Sequence, residues 1–425
     1  MTDQLRKIAI VGGTRIPFCR SNTLYADETN LSMMTATLNG LAEKYGLEGK
    51  HVDEVSGGAV VTHSKDWNIT REAVIGSKLA PSSPGETLIQ ACGTSLQSAM
   101  GIGAKIAMGQ IDSGIAVGSD TTSDAPIVFS KKFSKRLVEV GQKKSTWEKV
   151  KVFNGLRPGE LAPQPPSTGE PRTGLSMGQH CEMMAKTWDV SREAQDDLAF
   201  ASHKNAAAAY ESGWMDDLIT PHAGVFRDTN LRADIEREKL GTLRTVFDKS
   251  DRGTMTAANS TPLTDGAAGV LLCSEDWARE RGLPVLATMT QFQTAANNFV
   301  AGEGLLMAPT IAVSDMLRRA NLRLQDFDFY EIHEAFAAQV LSTLKAWEDP
   351  EYCRDKLGRD EPLGAIDRSK MNVKGSSLAF GHPFAATGAR ITANAAKLVS
   401  KHGGRCLVSI CTAGGMGVTA IIEAA

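Results

Sequence analysis

Two thiols and two imidazoles stand out by their neighbours. Cys92 lies in "LIQACGTSLQSAMGIGAKIAMG" (88–109), where an apolar run meets a segment of small residues with helical character. Cys411 lies in "SICTAGGMG", His382 in "LAFGHPFAATGAR" and His333 in "YEIHEAFAAQ". A thiol accepts an acyl group only as its thiolate, and an ordinary thiol with pKa of about 8.5 is only a few per cent ionised at neutral pH. The start of a helix at Cys92 would aim free N–H groups at the sulfur. Such a helix end supplies roughly 0.3–1 kcal/mol, less than one pKa unit. A nucleophilic Cys92 therefore needs a base, and the histidines are the candidates.

Each residue also has a structural reading. A cysteine between Ala91 and Gly93 is commonly a small buried hydrophobe, and the same holds for Cys411 beside its Gly-rich turn. His382, between Gly381 and Pro383 with Gly388 following, belongs on a constrained loop whose small residues let a ligand come close. Gly93 is expected to allow the same approach at Cys92. His333 ends a strand-like run and opens a helix, so a capping or surface role also fits it.

The elements that must position these groups alternate between short apolar strands and longer helices. Strands are expected in "KIAIVGG" (7–13), "EVSGGAVV" (54–61), "SGIAVGSD" (113–120), "AGVLLCSE" (268–275), "DFDFYEIHEAF" (326–336) and "RCLVSICTAGG" (405–415). This is the pattern of a layered α/β protein. Between strands, "SREAQDDLAFASHKNAAAAYESG" reads as a helix capped by Ser191 and stopped at Gly213. The segments around Cys92 and Cys411 resemble each other, which suggests two similar halves with a cysteine at equivalent depth in each. Residues 126 to about 260 break the alternation and read as an insertion. It contains the Pro-rich "LAPQPPSTGEP" and, over 131–151, eight Lys or Arg against two Glu, with Phe133, Leu137, Val138 and Trp147 interleaved. That stretch fits a solvated helix face, or a contact surface for an anionic ligand, a partner or a membrane.

The whole chain narrows the function classes. Its 425 residues, 42% of them hydrophobic, can fill more than one core. The 46 Lys and Arg against 49 Asp and Glu leave a net charge of -3, so nucleic acid is not the expected partner. Seven cysteines, with no CxxC pair, indicate neither a zinc site nor a disulfide framework, and a reducing, cytoplasmic location is expected. "MTDQLRKIAIVGG" runs into a strand without the features of a signal peptide, and no apolar run reaches a membrane-spanning length of about 18 residues.

Taken together and in order, "QACGTSLQS", "GTMTAANSTPLTDGAA", "EIHEAFAAQ", "GHPFAATGAR" and "CTAGGMG" resemble the thiolase family over nearly the whole chain, as do "GGTRIPF" and "MGQHCEMMAK". His in "HEAF" where many members have Asn, and "CTAGG" where many have a third Gly, is similar to the β subunits of fatty-acid-oxidation complexes. The resemblance implies two similar βαβαβαββ halves forming a five-layered α-β-α-β-α core with an inserted loop domain. The halves would be 1–125 plus 264–282, and 283–425, with 126–263 covering CoA and the acyl chain.

It also implies roles. Cys92 would take the acyl group, His382 would remove its proton, and Cys411 would serve as acid and base for the acetyl-CoA carbanion and the CoA thiol. One oxyanion hole would be formed by His382 with His333 or a water at its position, and a second by the backbone N–H groups of Cys92 and Ala413. Ala413 then needs φ below zero, because it carries a Cβ. Met177 would line the pocket, and Thr261 with Ser260 would lie along the pantetheine arm. A Lys or Arg of 131–151 would meet the CoA phosphates or a partner. No permanent cofactor or metal is implied, with CoA a substrate. The implied activity is thiolytic cleavage of 3-ketoacyl-CoA in β-oxidation by a ping-pong acyl-cysteine mechanism. The implied assembly is a homodimer or homotetramer, with or without a hydratase/dehydrogenase α subunit. Competing readings are a biosynthetic acetoacetyl-CoA thiolase, a decarboxylating ketoacyl synthase and a non-catalytic acyl-CoA or lipid carrier.

Overall fold

The computed structural model describes residues 5–425; the first four residues of the N-terminal stretch considered above lie outside them. Ten strands form the sheet: β1 (Ala9–Arg15), β2 (Cys19–Arg20), β3 (Glu54–Gly58), β4 (Gly85–Thr87), β5 (Ser113–Asp120), β6 (Thr264–Cys273), β7 (Ala287–Ala296), β8 (Phe329–Ile332), β9 (Arg405–Thr412) and β10 (Met416–Ala424). Their order is β4-β3-β5-β6-β1-β7-β10-β9-β8, with β2 paired to β6. β5 occupies the eight residues expected from "SGIAVGSD". β7 was not expected, because "ATMTQFQTAA" mixes polar and apolar residues: its first three residues are buried and most of the others are half-buried.

The two halves repeat one topology. In the first, β1–β6–β5 is an antiparallel series and β3 joins β5 in parallel; in the second, β7–β10–β9 is antiparallel and β8 joins β9 in parallel. The parallel β3–β4 pair has its counterpart in a single parallel bridge between Tyr330 and Met371. The halves meet where Ala9 and Ile10 of β1 pair with Thr288 and Ala287 of β7.

This repeat corrects the expected pairing of the cysteines. Cys92 sits in the turn Ala91–Gly93 before the helix Thr94–Ala107. Its counterpart is the turn Phe384–Ala386 before the helix Thr387–His402, on the His382 loop. Cys411, near the end of β9, matches the end of β5 instead. The local likeness of two Cys-Gly stretches misled, because a strand-to-helix turn and a strand-to-strand turn use glycine for different reasons.

The two helices after these turns form the central layer. They pack on each other, Thr94–Ala107 against β3, β5 and β6, and Thr387–His402 against β1, β6, β9 and β10. The second is buried continuously from Thr387 to Val399, as a helix between two sheet faces must be. Gly388 allows the crossing: a Cβ there would collide with the backbone of Leu96. It therefore serves helix packing rather than the ligand approach expected of it. The helix Asn30–Lys44 covers β5, β6 and β1 from outside, and Ala308–Ala320 covers β7, β9 and β10, completing five layers.

Residues 126–263 add no strand to this sheet. They contain the helices Lys131–Gln142, Thr146–Lys151, Met177–Thr187 and Arg192–Glu211. The last has Ser191 as its N-cap and Gly213 at φ +70° just beyond its end, as the sequence indicated.

Candidate active site

Cys92 is held by a strained turn. Ala91 has φ +46°, a left-handed conformation that costs a residue with a Cβ roughly 1–3 kcal/mol. Three hydrogen bonds maintain it: Gln90 N–H to Thr94 Oγ1 (2.9 Å), the Thr94 hydroxyl to Ala91 O (2.8 Å) and Gly93 N–H to Gln90 O (3.0 Å). Gly93 lies under the second half of the sheet, where a Cβ would be 2.8 Å from Val418 Cγ2 and 2.9 Å from Thr412 Cγ2. Its smallness brings the end of β9 against Cys92, a closer structural need than the expected substrate approach.

His382 completes the pair. Gly381, at φ +103°, turns the chain, and the His382 N–H donates to Thr264 Oγ1 (2.6 Å). The ring places Nε2 at 3.1 Å from Cys92 Sγ and Nδ1 at 2.6 Å from Thr387 Oγ1. The pair is neutral at rest. Burial, and secondarily the Asp120 carboxylate, push the Cys92 thiol up to about 12, against the N–H groups of Ala413 and Cys92 itself. Burial and the Arg390 guanidinium lower His382 to about 3.

The backbone N–H groups of Cys92 and Ala413 both act on the Cys92 sulfur and oppose the rise in its pKa. Ala413 is not among the residues with positive φ; Gly414 (+78°) and Gly415 (+70°) make the turn after it. The missing third glycine therefore leaves the turn intact. Glu170, from the inserted region, accepts from Gly414 N–H at 3.1 Å and braces that turn.

Cys411 is buried two residues before Ala413, in an apolar cluster with Cys181, Met184, Met255 and Phe336. Burial first, then the neighbouring Cys92 and Cys181 thiols, raise it well above the ordinary thiol value. The Cys411 thiol therefore holds its proton at rest. Cys181, in "MGQHCEMMAK", is a third thiol in this neighbourhood that the sequence did not single out.

His333 is not a surface or capping residue. It is fully buried, its ring centroid 4.2 Å from that of His382, with Nδ1 at 2.8 Å from Ser377 Oγ. Among the described residues Nε2 has no hydrogen-bond partner. A ligating atom from each of Cys92, His333 and His382 falls within one 4.8 Å cluster, with ligand types that would also suit a soft divalent cation. The three thus bring a thiol, an imidazole in contact with it and a second imidazole beside both into one buried cluster.

The substrate-contact candidates lie on the same floor. Thr261 bonds Ala335 O through both N–H (3.1 Å) and hydroxyl (3.0 Å), and Ser260 bridges Phe336, tying this loop to the His333 segment. The Ser260 hydroxyl is buried without a partner. Met177 is half-buried against the cluster that holds Cys411. In the basic stretch, Arg136 is occupied by Glu160 (3.1 Å) and the Val152 carbonyl (2.5 Å), so it braces the helical hairpin.

Sequence reasoning missed four supports: Asp120, Thr387, Ser377 and Arg390. Asp120 accepts from Val60, Val61 and Ala385 N–H, the last at 2.7 Å, and thereby ties the His382 loop to β5. Its signal was a carboxylate ending an apolar strand. Thr387 and Arg390 lie within "GHPFAATGAR", while Ser377 lies in no motif.

Residues 8–276 match the family model "Thiolase, N-terminal domain" and residues 283–424 match "Thiolase, C-terminal domain". The chain is 41% identical over 424 residues to a 3-ketoacyl-CoA thiolase of Alteromonas mediterranea, covering 98% of this chain and 97% of that protein. It is 39% identical over 430 residues to one of Yersinia pestis, covering 100% and 98%. A solved acetyl-CoA acetyltransferase of Bacillus anthracis superposes with TM-score 0.82 at 28% identity over the full length of both chains. Human mitochondrial 3-ketoacyl-CoA thiolase shares the fold, with TM-score 0.81 at 24% identity over 99% of both chains.

Proposed function

Because the chain belongs to the thiolase family of acyltransferases, we propose that Cys92, His382 and Cys411 carry out CoA-dependent cleavage of 3-ketoacyl-CoA to acetyl-CoA and a shortened acyl-CoA. The observation that carries this reading is the 3.1 Å contact between His382 Nε2 and Cys92 Sγ, with Cys411 buried at the neighbouring strand end.

The proton balance follows from the resting state. As Cys92 sulfur attacks the 3-keto carbon, its proton moves to His382 Nε2, and the new imidazolium is steadied by donating Nδ1–H to Thr387 Oγ1. The C2–C3 bond breaks, and the acetyl-CoA carbanion takes the Cys411 proton. The incoming CoA thiol returns a proton to the Cys411 thiolate, and CoA sulfur attacks the acyl-cysteine. Cys92 leaves, recovering its proton from His382. The first half-reaction exchanges the C2–C3 bond for the Cys92 thioester and releases acetyl-CoA, and the second passes the acyl group from that thioester to the CoA thioester of similar energy, so the cycle is ping-pong. The His333 Nε2–H and His382 serve one developing oxyanion, and the N–H groups of Cys92 and Ala413 serve the other. Removing one such donor costs roughly 2.7–4 kcal/mol in other acyl-transfer enzymes.

In the same reading, the boundaries are 1–125 plus 264–282, 126–263 and 283–425, and Met177, Ser260 and Thr261 border the substrate. The protein acts in the cytoplasm in β-oxidation as a dimer or tetramer, with an α subunit as a further partner. Edge strand β4 supports assembly: the exposed Ile89 follows it, and Asn68, next to Trp67, which is 83% exposed, bonds its Gly85 carbonyl. Among the described residues no helix is long and apolar enough to cross a membrane. The hairpin of helices Lys131–Gln142 and Thr146–Lys151 buries no residue and exposes Leu137, Val138, Trp147 and Val150 among its lysines, which supports contact with an anionic membrane surface.

The test is CoA-dependent loss of 3-ketoacyl-CoA absorbance across chain lengths, with Cys92→Ser as control. Turnover abolished by Cys92→Ser is expected. Folded protein inactive on every chain length would overturn the proposal.

A further inference from the structure

Behind His333 a buried chain of donors runs to a buried cation. Arg390, in the first turn of the helix Thr387–His402, extends Nη2 to Ser377 Oγ (2.9 Å) and to Ser376 Oγ (3.3 Å). Ser377 Oγ then meets His333 Nδ1 at 2.8 Å. All of these side chains are at least nine-tenths buried.

The chemistry of the groups fixes the direction of the chain. A guanidinium can only donate, so Ser377 Oγ accepts from Arg390. The hydroxyl has one hydrogen and, among the described residues, no acceptor for it other than His333 Nδ1. The arrangement that gives the Ser377 hydrogen an acceptor leaves Nδ1 bare and puts the ring's hydrogen on Nε2. That nitrogen has no hydrogen-bond partner among the described residues, and His333 stands within the 4.8 Å cluster of Cys92 and His382.

We propose that Ser377, oriented by Arg390, is a positioning residue that locks His333 into the tautomer with its hydrogen on Nε2, so that Nε2–H donates to the oxyanion that His333 and His382 share in the proposed reaction. The proposal rests on the assignment of Cys92 as the acyl carrier. It explains how a histidine can stand where many family members have asparagine. An amide always has an N–H to offer, whereas an imidazole offers one at a given nitrogen only if something selects the tautomer.

The surroundings keep the ring neutral. Burial, then His382, then Arg390 lower His333 well below the ordinary histidine value. Burial lowers the Arg390 guanidinium to about 10, with Arg15 adding to the fall and the Glu331, Glu334 and Asp228 carboxyls opposing it. Glu334 is itself held away from the imidazole by Ser202 (2.7 Å), Asn372 (2.6 Å) and Leu378 N–H (3.3 Å).

The test uses the full chain labelled with nitrogen-15 histidine, with the His333 resonances assigned by their absence in His333→Asn. The resting protein is expected to show a protonated Nε2 and a bare Nδ1. Ser377→Ala should populate the other tautomer and lower kcat roughly 10- to 100-fold, below or near the loss of a whole oxyanion donor. KM should change less than about twofold, because the donor acts on charge that develops in the transition state. Ser377→Thr, which keeps the hydroxyl, should restore both readouts. A protonated Nδ1 in the resting wild type would overturn the proposal, as would an unchanged tautomer in Ser377→Ala or a changed tautomer with full kcat. The tautomer is read without substrate, so failure here is distinguishable from failure of the acyl-cysteine reading, which would appear as activity in Cys92→Ser.

Discussion

His382 Nε2 and Cys92 Sγ stand 3.1 Å apart although 290 positions separate them in the chain. The contact joins a neutral imidazole to a neutral thiol. With Cys92 pushed up to about 12 and His382 lowered to about 3, the proton stays on sulfur across the physiological range. The difference in ultraviolet thiolate absorbance between wild type and Cys92→Ser should therefore be flat from about pH 5 to about pH 9, whereas an ordinary free thiol titrates near 8.5. A step in that window would show a resting thiolate–imidazolium pair instead.

In the proposed mechanism Cys411 is what separates this enzyme from one that makes its carbanion by losing carbon dioxide. Cys411→Ala should abolish exchange of label between acetyl-CoA and 3-ketoacyl-CoA, because no group remains to pass the carbanion proton. A general acid contributes typically 10²–10⁴-fold, and a loss of that order is expected. Exchange at the wild-type rate would remove Cys411 from the mechanism and reopen the synthase reading.

Asp120 ties the His382 loop to the first half of the fold. Burial pushes its carboxyl up to about 7, against the backbone N–H groups of Val61, Ala385 and Val60. Because the folded value lies above the unfolded one, near 3.9, the folded state holds the extra proton between about pH 4 and about pH 7, and this group's share of stability falls as pH rises across that window. Asp120→Asn should remove that dependence. It should also lower stability by about 1–3 kcal/mol, since one amide oxygen cannot serve all three donors. Denaturant melts of both proteins at several pH values provide the measurement; identical pH dependence in the two would refute the assignment.

The basic hairpin offers a cleaner separation of function from fold. Charge reversal of Lys132, Lys135, Lys143 and Lys144 should abolish sedimentation with vesicles rich in anionic lipid and leave turnover of short-chain substrate unchanged. Each basic residue near such a surface contributes about 1 kcal/mol, so four suffice for loss of binding. Binding that persists, or that is equally strong to neutral vesicles, would contradict the membrane-surface reading.

Much of this protein was legible in its sequence, because the signals were local. Apolar runs and their spacing indicated most strands, Ser191 and Gly213 bounded a helix, and five ordered motifs pointed to Cys92, His333, His382 and Cys411. Strand β7 escaped, since much of its length is half-buried and lacks an apolar run. What tertiary structure alone decided was what each group faces. Gly93 and Gly388 looked like openings for a ligand, yet they are the points where the halves close on each other, because a missing Cβ does not say which neighbour fills the space. Cys92 and Cys411 looked like counterparts, yet the repeat pairs the Cys92 turn with the His382 loop. The protonation states belong to the fold as well: burial drives thiols up and imidazoles down, and burial is a property of packing that no residue type carries by itself.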